Sequence, residues 1–278
     1  MSEEQRGERE GDLKGAEGAR VDLSIAGDVA TITLDDPRTG NALSWRTHRE
    51  IGRALDCVPA SVAFVVLTGA GGVFSSGGHL GDLADGLPED YVEDYWERMR
   101  GTVLRVRAMP QIVISIVDGP AVGAGAALAL AADLTIASHR ARFRWTFVRL
   151  GLLPDAGSTT LLQRAVGPMR ARELLLRGRW MSADEALSSG LINVVARDGG
   201  IAPEVAAMLR DLRLADPRAL ALTKQVVEAN AHSDLDSSVR REGVYQQAAA
   251  ARSDYADRAA RALHHLNPSA APTTKENP

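Results

Sequence analysis

Cysteine and lysine are almost missing from this 278-residue chain. A single cysteine, Cys57, excludes an internal disulfide and leaves no second thiol for a thiolate zinc site. Only Lys14, Lys224 and Lys275 are lysines, so anion binding falls to arginine or to backbone N–H groups. No large surplus of either charge is present. Against 36 acidic residues there are 32 basic ones, and the net charge of −4 offers no basic field to a nucleic-acid backbone. No apolar run reaches the ~18–20 residues of a membrane span; the nearest, 119–132, is short and rich in Gly and Ala. Dense charge replaces an apolar signal core at the N-terminus, so the expectation is a soluble cytoplasmic protein that binds neither nucleic acid nor membrane. The sequence also lacks G-x-S-x-G, the Walker loop and H-E-x-x-H. Gly123-Ala124-Gly125-Ala126-Ala127-Leu128 imitates a dinucleotide fingerprint, but its third glycine is missing and Ser138-His139 stands where an acidic ribose binder belongs. No cofactor and no metal is expected.

What is present is a chain long enough, at about 150 residues per domain, for two domains or for one large α/β unit with a helical appendage. Residues 1–18 and 267–278 are too polar to offset their ordering entropy and read as disordered tails. Between them, 21–25 and 29–34 are β-like runs split by Gly27-Asp28, a hairpin signal. Residues 44–55 read as a helix, 64–68 as an apolar strand, 88–107 as a charged helix, and 112–117 and 134–137 as two more buried strands. Apolar strands alternating with helices predict parallel βαβ units covered on both faces. After about residue 157 strands nearly stop. Ser182-Ala183-Asp184-Glu185 is a capping box, Gly190 fits the stop of its helix, and 202–215, 217–231 and 235–250 are helical by composition and spacing. The division is an α/β core over 19–198 and a helical C-terminal region over 199–266, with no internal repeat.

Two glycine segments follow the buried strands. Gly71-Gly72-Val73-Phe74-Ser75-Ser76-Gly77-Gly78-His79-Leu80 comes after the strand at 64–68, and Asp118-Gly119-Pro120-Ala121-Val122-Gly123-Ala124-Gly125 after that at 112–117. Ligands of open α/β sheets bind outside strand carboxyl ends, and first-turn N–H groups have no partner within their helix. Two readings stay open: tight turns that need φ > 0, or two N–H groups converging as an oxyanion hole.

With its surroundings, this pair resembles the enoyl-CoA hydratase/isomerase (crotonase) superfamily. Thr31-Ile32-Thr33-Leu34-Asp35-Asp36-Pro37-Arg38 leading to Asn41-Ala42-Leu43 is similar to the family's N-terminal signature, and the two glycine segments to its oxyanion segments. Gly151-Leu152-Leu153-Pro154-Asp155-Ala156-Gly157 and SADEALSSGL at 182–191 extend the match over roughly 20–200. The resemblance implies a spiral of ββα units with a C-terminal helical region serving oligomerisation and pocket closure. It further implies a homotrimer or homohexamer and an acyl-CoA thioester as substrate, coenzyme A being part of that substrate rather than a cofactor. It carries the two oxyanion N–H groups onto Gly78 and Ala124, the latter where the family usually has glycine. Ala42, Ser76, His79, Leu80, Trp145 and Phe147 then fall to substrate binding, with His79 replacing a common aspartate and open to the alternative of capping its loop.

Departures from the family pattern bear on mechanism. The two glutamates of family hydratases align with Ala127 and Phe147, neither of which can hold a water or move a proton. Asp155 remains, at a position where isomerases place a working aspartate. It is either the acid/base or the N-cap of the helix after Gly157. The expected activity is isomerisation of an enoyl-CoA, or of a ring epoxide, through a thioester enolate. The alternatives are a hydratase or hydrolase with another base, and a non-catalytic binding subunit. Glu93, Asp94 and Glu97 read as a solvated helix face, Arg38 as a surface arginine, 164–179 as a partly exposed helix pair, and His48, His232, His264 and His265 carry no motif.

Overall fold

The computed structural model describes residues 20–84, 91–197, 200–251 and 255–266. Strands β1 (Arg20–Ala26) and β2 (Val29–Asp35) form the expected antiparallel hairpin, turning at Gly27 with φ 61°. Alternate residues of β2, Ala30, Ile32 and Leu34, are buried, as a strand with one covered face requires. Helix α1 (Trp45–Asp56) begins where the Ser44 hydroxyl accepts the Thr47 N–H, and it turns Ile51 and Leu55 inward. Strand β3 (Phe64–Gly69) runs parallel to β2 and is followed by α2 (Leu80–Ala84) and α3 (Tyr91–Ala108). Strand β4 (Ile112–Val117) lies parallel to β3 and leads through β5 (Pro120–Val122) into α4 (Ala124–Ala131). Helix α4 is built of small and apolar residues buried on nearly every side, the signature of a core helix.

Strand β6 (Leu134–Ser138), β7 (Arg142–Arg144) and a 3-10 turn over Phe147–Leu150 precede α5 (Ser158–Arg177). The expected helix pair at 164–179 appears as a break in α5, where Gly167 leaves helical geometry just before Pro168. Strand β8 (Trp180–Ser182), α6 (Ala183–Ser188), β9 (Val194–Ala196) and α7 (Ile201–Leu212) follow. Ser182 caps α6 through the Glu185 N–H, but the capping box is not reciprocal, because the Glu185 carboxylate is taken by Arg170 and Arg179.

Six strands form one sheet in the order β1-β2-β3-β4-β6-β9, parallel throughout except for the hairpin, and β5-β7-β8 form a second. The buried strands expected at 64–68, 112–117 and 134–137 are all in the large sheet. Strands β5, β7, β8 and β9 were not expected, since three residues are too few to reveal a period of two.

The first compact unit extends to Pro217, so the boundary expected at 199 falls within it: α7 packs on β6 and β9. The second unit, from Arg218, holds most of α8 (Pro217–Asn230) with α9 (Leu235–Ala250) and α10 (Tyr255–Leu266). No helix among the described residues is long and apolar enough to cross a membrane.

Gly119 shows how tightly the turns after β3 and β4 meet. At φ 98°, a Cβ there would lie 2.0 Å from the Gly72 carbonyl oxygen, whereas at Gly27 it would meet nothing within 4 Å. Gly119→Ala is therefore expected to lower stability by about 3 kcal/mol or more, and Gly27→Ala by about 1–2 kcal/mol from φ alone, read from urea denaturation midpoints.

Candidate active site

Because β3 and β4 are parallel neighbours, their carboxyl ends deliver residues 70–78 and 118–124 to the same end of the sheet. Main-chain hydrogen bonds tie the two bends together: Phe74 N–H donates to Pro120 O (2.9 Å), and Val122 N–H to Ser75 O (2.9 Å). A Cβ on Gly77 would come within 2.6 Å of Val122 O and 3.7 Å of the Ala124 nitrogen. The peptide carrying the Gly78 N–H thus passes directly beside the N-terminus of α4.

Both of these N–H groups are aimed by carbonyls held on their far side. The Gly77 carbonyl accepts the Leu43 N–H (2.7 Å), and in a planar trans peptide the Gly78 N–H must then point the opposite way. The Gly123 carbonyl accepts the Ala127 N–H (3.1 Å), so the Ala124 N–H projects out of the helix start, where the macrodipole favours negative charge. Neither N–H has an acceptor among the described residues. The left-handed conformation falls on Gly123 (φ 54°) and not on Ala124, so alanine is accommodated at that position. The Phe147 ring closes the near side, 3.7 Å from where a Gly123 Cβ would be, and Ala127 is fully buried in α4.

Asp155 is not a helix cap. Ala156 (φ 50°) and Gly157 (φ 78°) are both left-handed, which turns the chain so that the cap position of α5 falls on Gly157, a residue without a side chain. Only the Asp155 backbone carbonyl engages the helix, accepting the Ser158 N–H at 2.8 Å. The carboxyl oxygen Oδ1 is buried and makes no hydrogen bond among the described residues. Burial pushes the Asp155 pKa up to about 6, because desolvation penalises the ionised form and a local backbone contact offsets it only in part. Such a carboxyl can both take and return a proton near neutral pH.

The family model described as enoyl-CoA hydratase/isomerase matches residues 24–257. The chain belongs to that family. It is 34% identical over 235 residues to the 1,2-epoxyphenylacetyl-CoA isomerase of Escherichia coli K12, covering 82% of this chain and 88% of the relative. It is similar to an enoyl-CoA hydratase from Polaromonas sp. JS666 (TM-score 0.83, 30% identity, 88% of this chain and 97% of that one). A Thermobifida fusca YX structure in complex with acetoacetyl-CoA superposes with a TM-score of 0.78 at 33% identity, over 84% of this chain and 95% of that one.

In this enoyl-CoA hydratase/isomerase family member the remaining candidates have other neighbours. The Ser76 hydroxyl donates to Thr39 O (2.7 Å) and the Ala42 carbonyl accepts the Thr47 hydroxyl (2.9 Å), so both fasten the loop that enters the first bend. His79 Nδ1 lies 2.8 Å from Asp82 Oδ1 and 3.2 Å from the Asp82 nitrogen, which commits the imidazole to the first turn of α2. Leu80 is exposed. Trp145 has no exposed surface and presents no open wall to a ligand. Glu97 is exposed and paired with Arg100, Arg38 is on the surface, and the side chains of Glu93, Asp94, His264 and His265 lie outside those described. His48 is buried beside Thr102 (3.1 Å), and burial lowers its pKa to about 4, which keeps it neutral.

Two residues that the sequence reading quoted without a role support the bends. Asn41 is one of the two non-glycine residues with positive φ (60°) among those described. Its amide donates to Ala70 O (3.0 Å) and Val73 O (2.7 Å), and its Oδ1 accepts the Asp36 N–H (2.8 Å). A buried asparagine that ties three loop segments is detectable in sequence only as Asn next to Gly40, which also reads as a plain turn. Leu43 acts through its N–H alone, which no side-chain signal reveals.

The raised Asp155 pKa has a stability consequence of definite sign. Between the usual carboxylate value near 3.8 and about 6, the folded chain keeps a proton that the unfolded chain has lost, so stability falls as pH rises through this window. Asp155→Asn is expected to be more stable than the parent by about 1–3 kcal/mol at pH 8 and equal to it at pH 3.5, measured by urea denaturation at both pH values.

Proposed function

We propose that this family member isomerises enoyl-CoA thioesters through an enolate, with Gly78 and Ala124 N–H groups binding the thioester oxygen and Asp155 moving the proton. The observation that carries this reading is the Asp155 carboxyl, desolvated and with its Oδ1 lacking a hydrogen-bond partner among the described residues, at a bend that denies it the role of helix cap. With a 3-enoyl-CoA, the ionised carboxyl removes a proton from C2 and charge passes to the thioester oxygen. There two preorganised donors stabilise it, each worth about 2.7–4 kcal/mol of barrier in comparable sites. The same carboxyl, now protonated, returns the proton to C4 as the double bond moves to C2–C3. No water enters the reaction and no co-reactant is consumed. Rearrangement of an aromatic ring epoxide thioester uses the same oxygen-binding donors.

Isomerisation is preferred to hydration because the positions that match the family's two hydratase glutamates carry Ala127 and Phe147, a fully buried methyl and a nearly buried ring. Neither orients a water for addition. Similarity to a 1,2-epoxyphenylacetyl-CoA isomerase supports the choice, while the enoyl-CoA hydratase among the structural neighbours makes the competing activity the one to measure. Acetoacetyl-CoA in a structural neighbour supports an acyl-CoA thioester as the substrate class.

The test is incubation of the purified protein with 3-enoyl-CoA and, separately, with 2-enoyl-CoA. Conversion of the first without hydration of the second is expected, and the reverse ranking overturns the proposal. Asp155→Asn is expected to lower kcat by about 10²–10⁴-fold. In the parent, kcat/KM should rise with pH through an ionisation near 6, where the base loses its proton, and this limb should vanish in the variant.

A further inference from the structure

Ser75 stands between the two bends and is fully buried. Its hydroxyl donates to Asn41 O (2.7 Å) and accepts the Gly77 N–H (3.2 Å). Its backbone N–H donates to Pro120 O (3.3 Å), and its carbonyl accepts the Val122 N–H (2.9 Å). On the α4 side, Gly125 leaves the space that the serine fills: a Cβ there would lie 2.6 Å from both Cβ and Oγ of Ser75. One side chain therefore joins the Asn41 loop, the first bend and the start of α4.

We propose that Ser75 is a positioning residue for the oxyanion hole, its hydroxyl holding the Ser76–Gly77 peptide through the Gly77 N–H and so keeping Gly77 in the conformation that lets the Gly78 N–H share one thioester oxygen with Ala124. The proposal rests on the reading of Gly78 and Ala124 as oxygen-binding donors. Gly77 sits at φ 94°, a conformation in which its flanking peptides turn easily. The peptide that follows it is restrained at its carbonyl by Leu43, and the one that precedes it is restrained at its N–H by the Ser75 hydroxyl. Without the hydroxyl, the Asn41 carbonyl loses its donor and the Gly77 N–H its acceptor in a buried place. The bend can recover those bonds only by rotating away from its present aim. The backbone bonds to Pro120 and Val122 remain, so the bends stay together while the aim is lost. The consequence falls on polarisation of the bound carbonyl and not on affinity for coenzyme A.

The test is infrared difference spectroscopy of hexanoyl-CoA, ¹³C-labelled at the thioester carbonyl, bound to the parent, to Ser75→Ala and to Ser75→Cys, with coenzyme A affinity measured alongside. The parent is expected to lower the carbonyl stretching frequency, and Ser75→Ala to lose most of that shift with coenzyme A affinity unchanged. Ser75→Cys keeps a heavy atom in the gap but is a poor hydrogen-bonding partner, and an intermediate shift is expected; it also carries the test should the alanine variant not fold. A full parental shift in either variant overturns the role of Ser75. No shift in the parent itself overturns the oxygen-binding reading beneath it, a different and separable result.

Discussion

Parallel pairing of β3 with β4 is the constraint on which the candidate site depends. It sends two glycine-rich bends out of the same end of the sheet, so close that a Cβ on Gly77 would lie 3.7 Å from the Ala124 nitrogen. Peptide planarity then turns hydrogen bonds on one side into aim on the other. Leu43 holds the Gly77 carbonyl, Ala127 holds the Gly123 carbonyl, and the two following N–H groups are fixed without any side chain of their own. Preorganisation of this kind requires no rearrangement as charge develops on a bound oxygen. It also explains the demand for glycine at 77, 119 and 125, where backbone or Ser75 occupies the space of a side chain.

Two features that cost stability lie side by side before α5. Asp155 carries a buried carboxyl oxygen with no partner among the described residues, and Ala156 adopts a left-handed conformation that L-residues rarely accept. In most of the chain the local rules are obeyed: Ser44, Ser182 and Asp234 cap their helices through side-chain oxygens. The two left-handed residues after Asp155 carry the helix start past the carboxyl.

Much of the large sheet was legible in the sequence because its strands are long and apolar and its hairpin turns at Gly-Asp. The three-residue strands were not, whereas the helix pair expected at 164–179 is realised as the break in α5 at Gly167, before Pro168. His79 was legible as an oddity, yet only its distance to Asp82 assigns the ring to the start of α2. Trp145 shows the opposite case: the resemblance assigned it to substrate binding, and the structure buries it fully in the core.

The sequence by itself determined the family resemblance, and with it the expectation that Gly78 and Ala124 are the N–H donors and that Ala127 and Phe147 stand where the family's hydratases carry glutamates, since these depend on residue type and spacing. Tertiary structure alone decided that the Gly77–Gly78 peptide passes beside the start of α4 and that the Asp155 carboxyl is desolvated and does not cap α5. Those outcomes turn on the dihedral angles of Gly77, Gly123, Ala156 and Gly157 and on the exclusion of water from one carboxyl. Asp-Ala-Gly-Ser is compatible with either fate, and only packing against the rest of the chain selects between them.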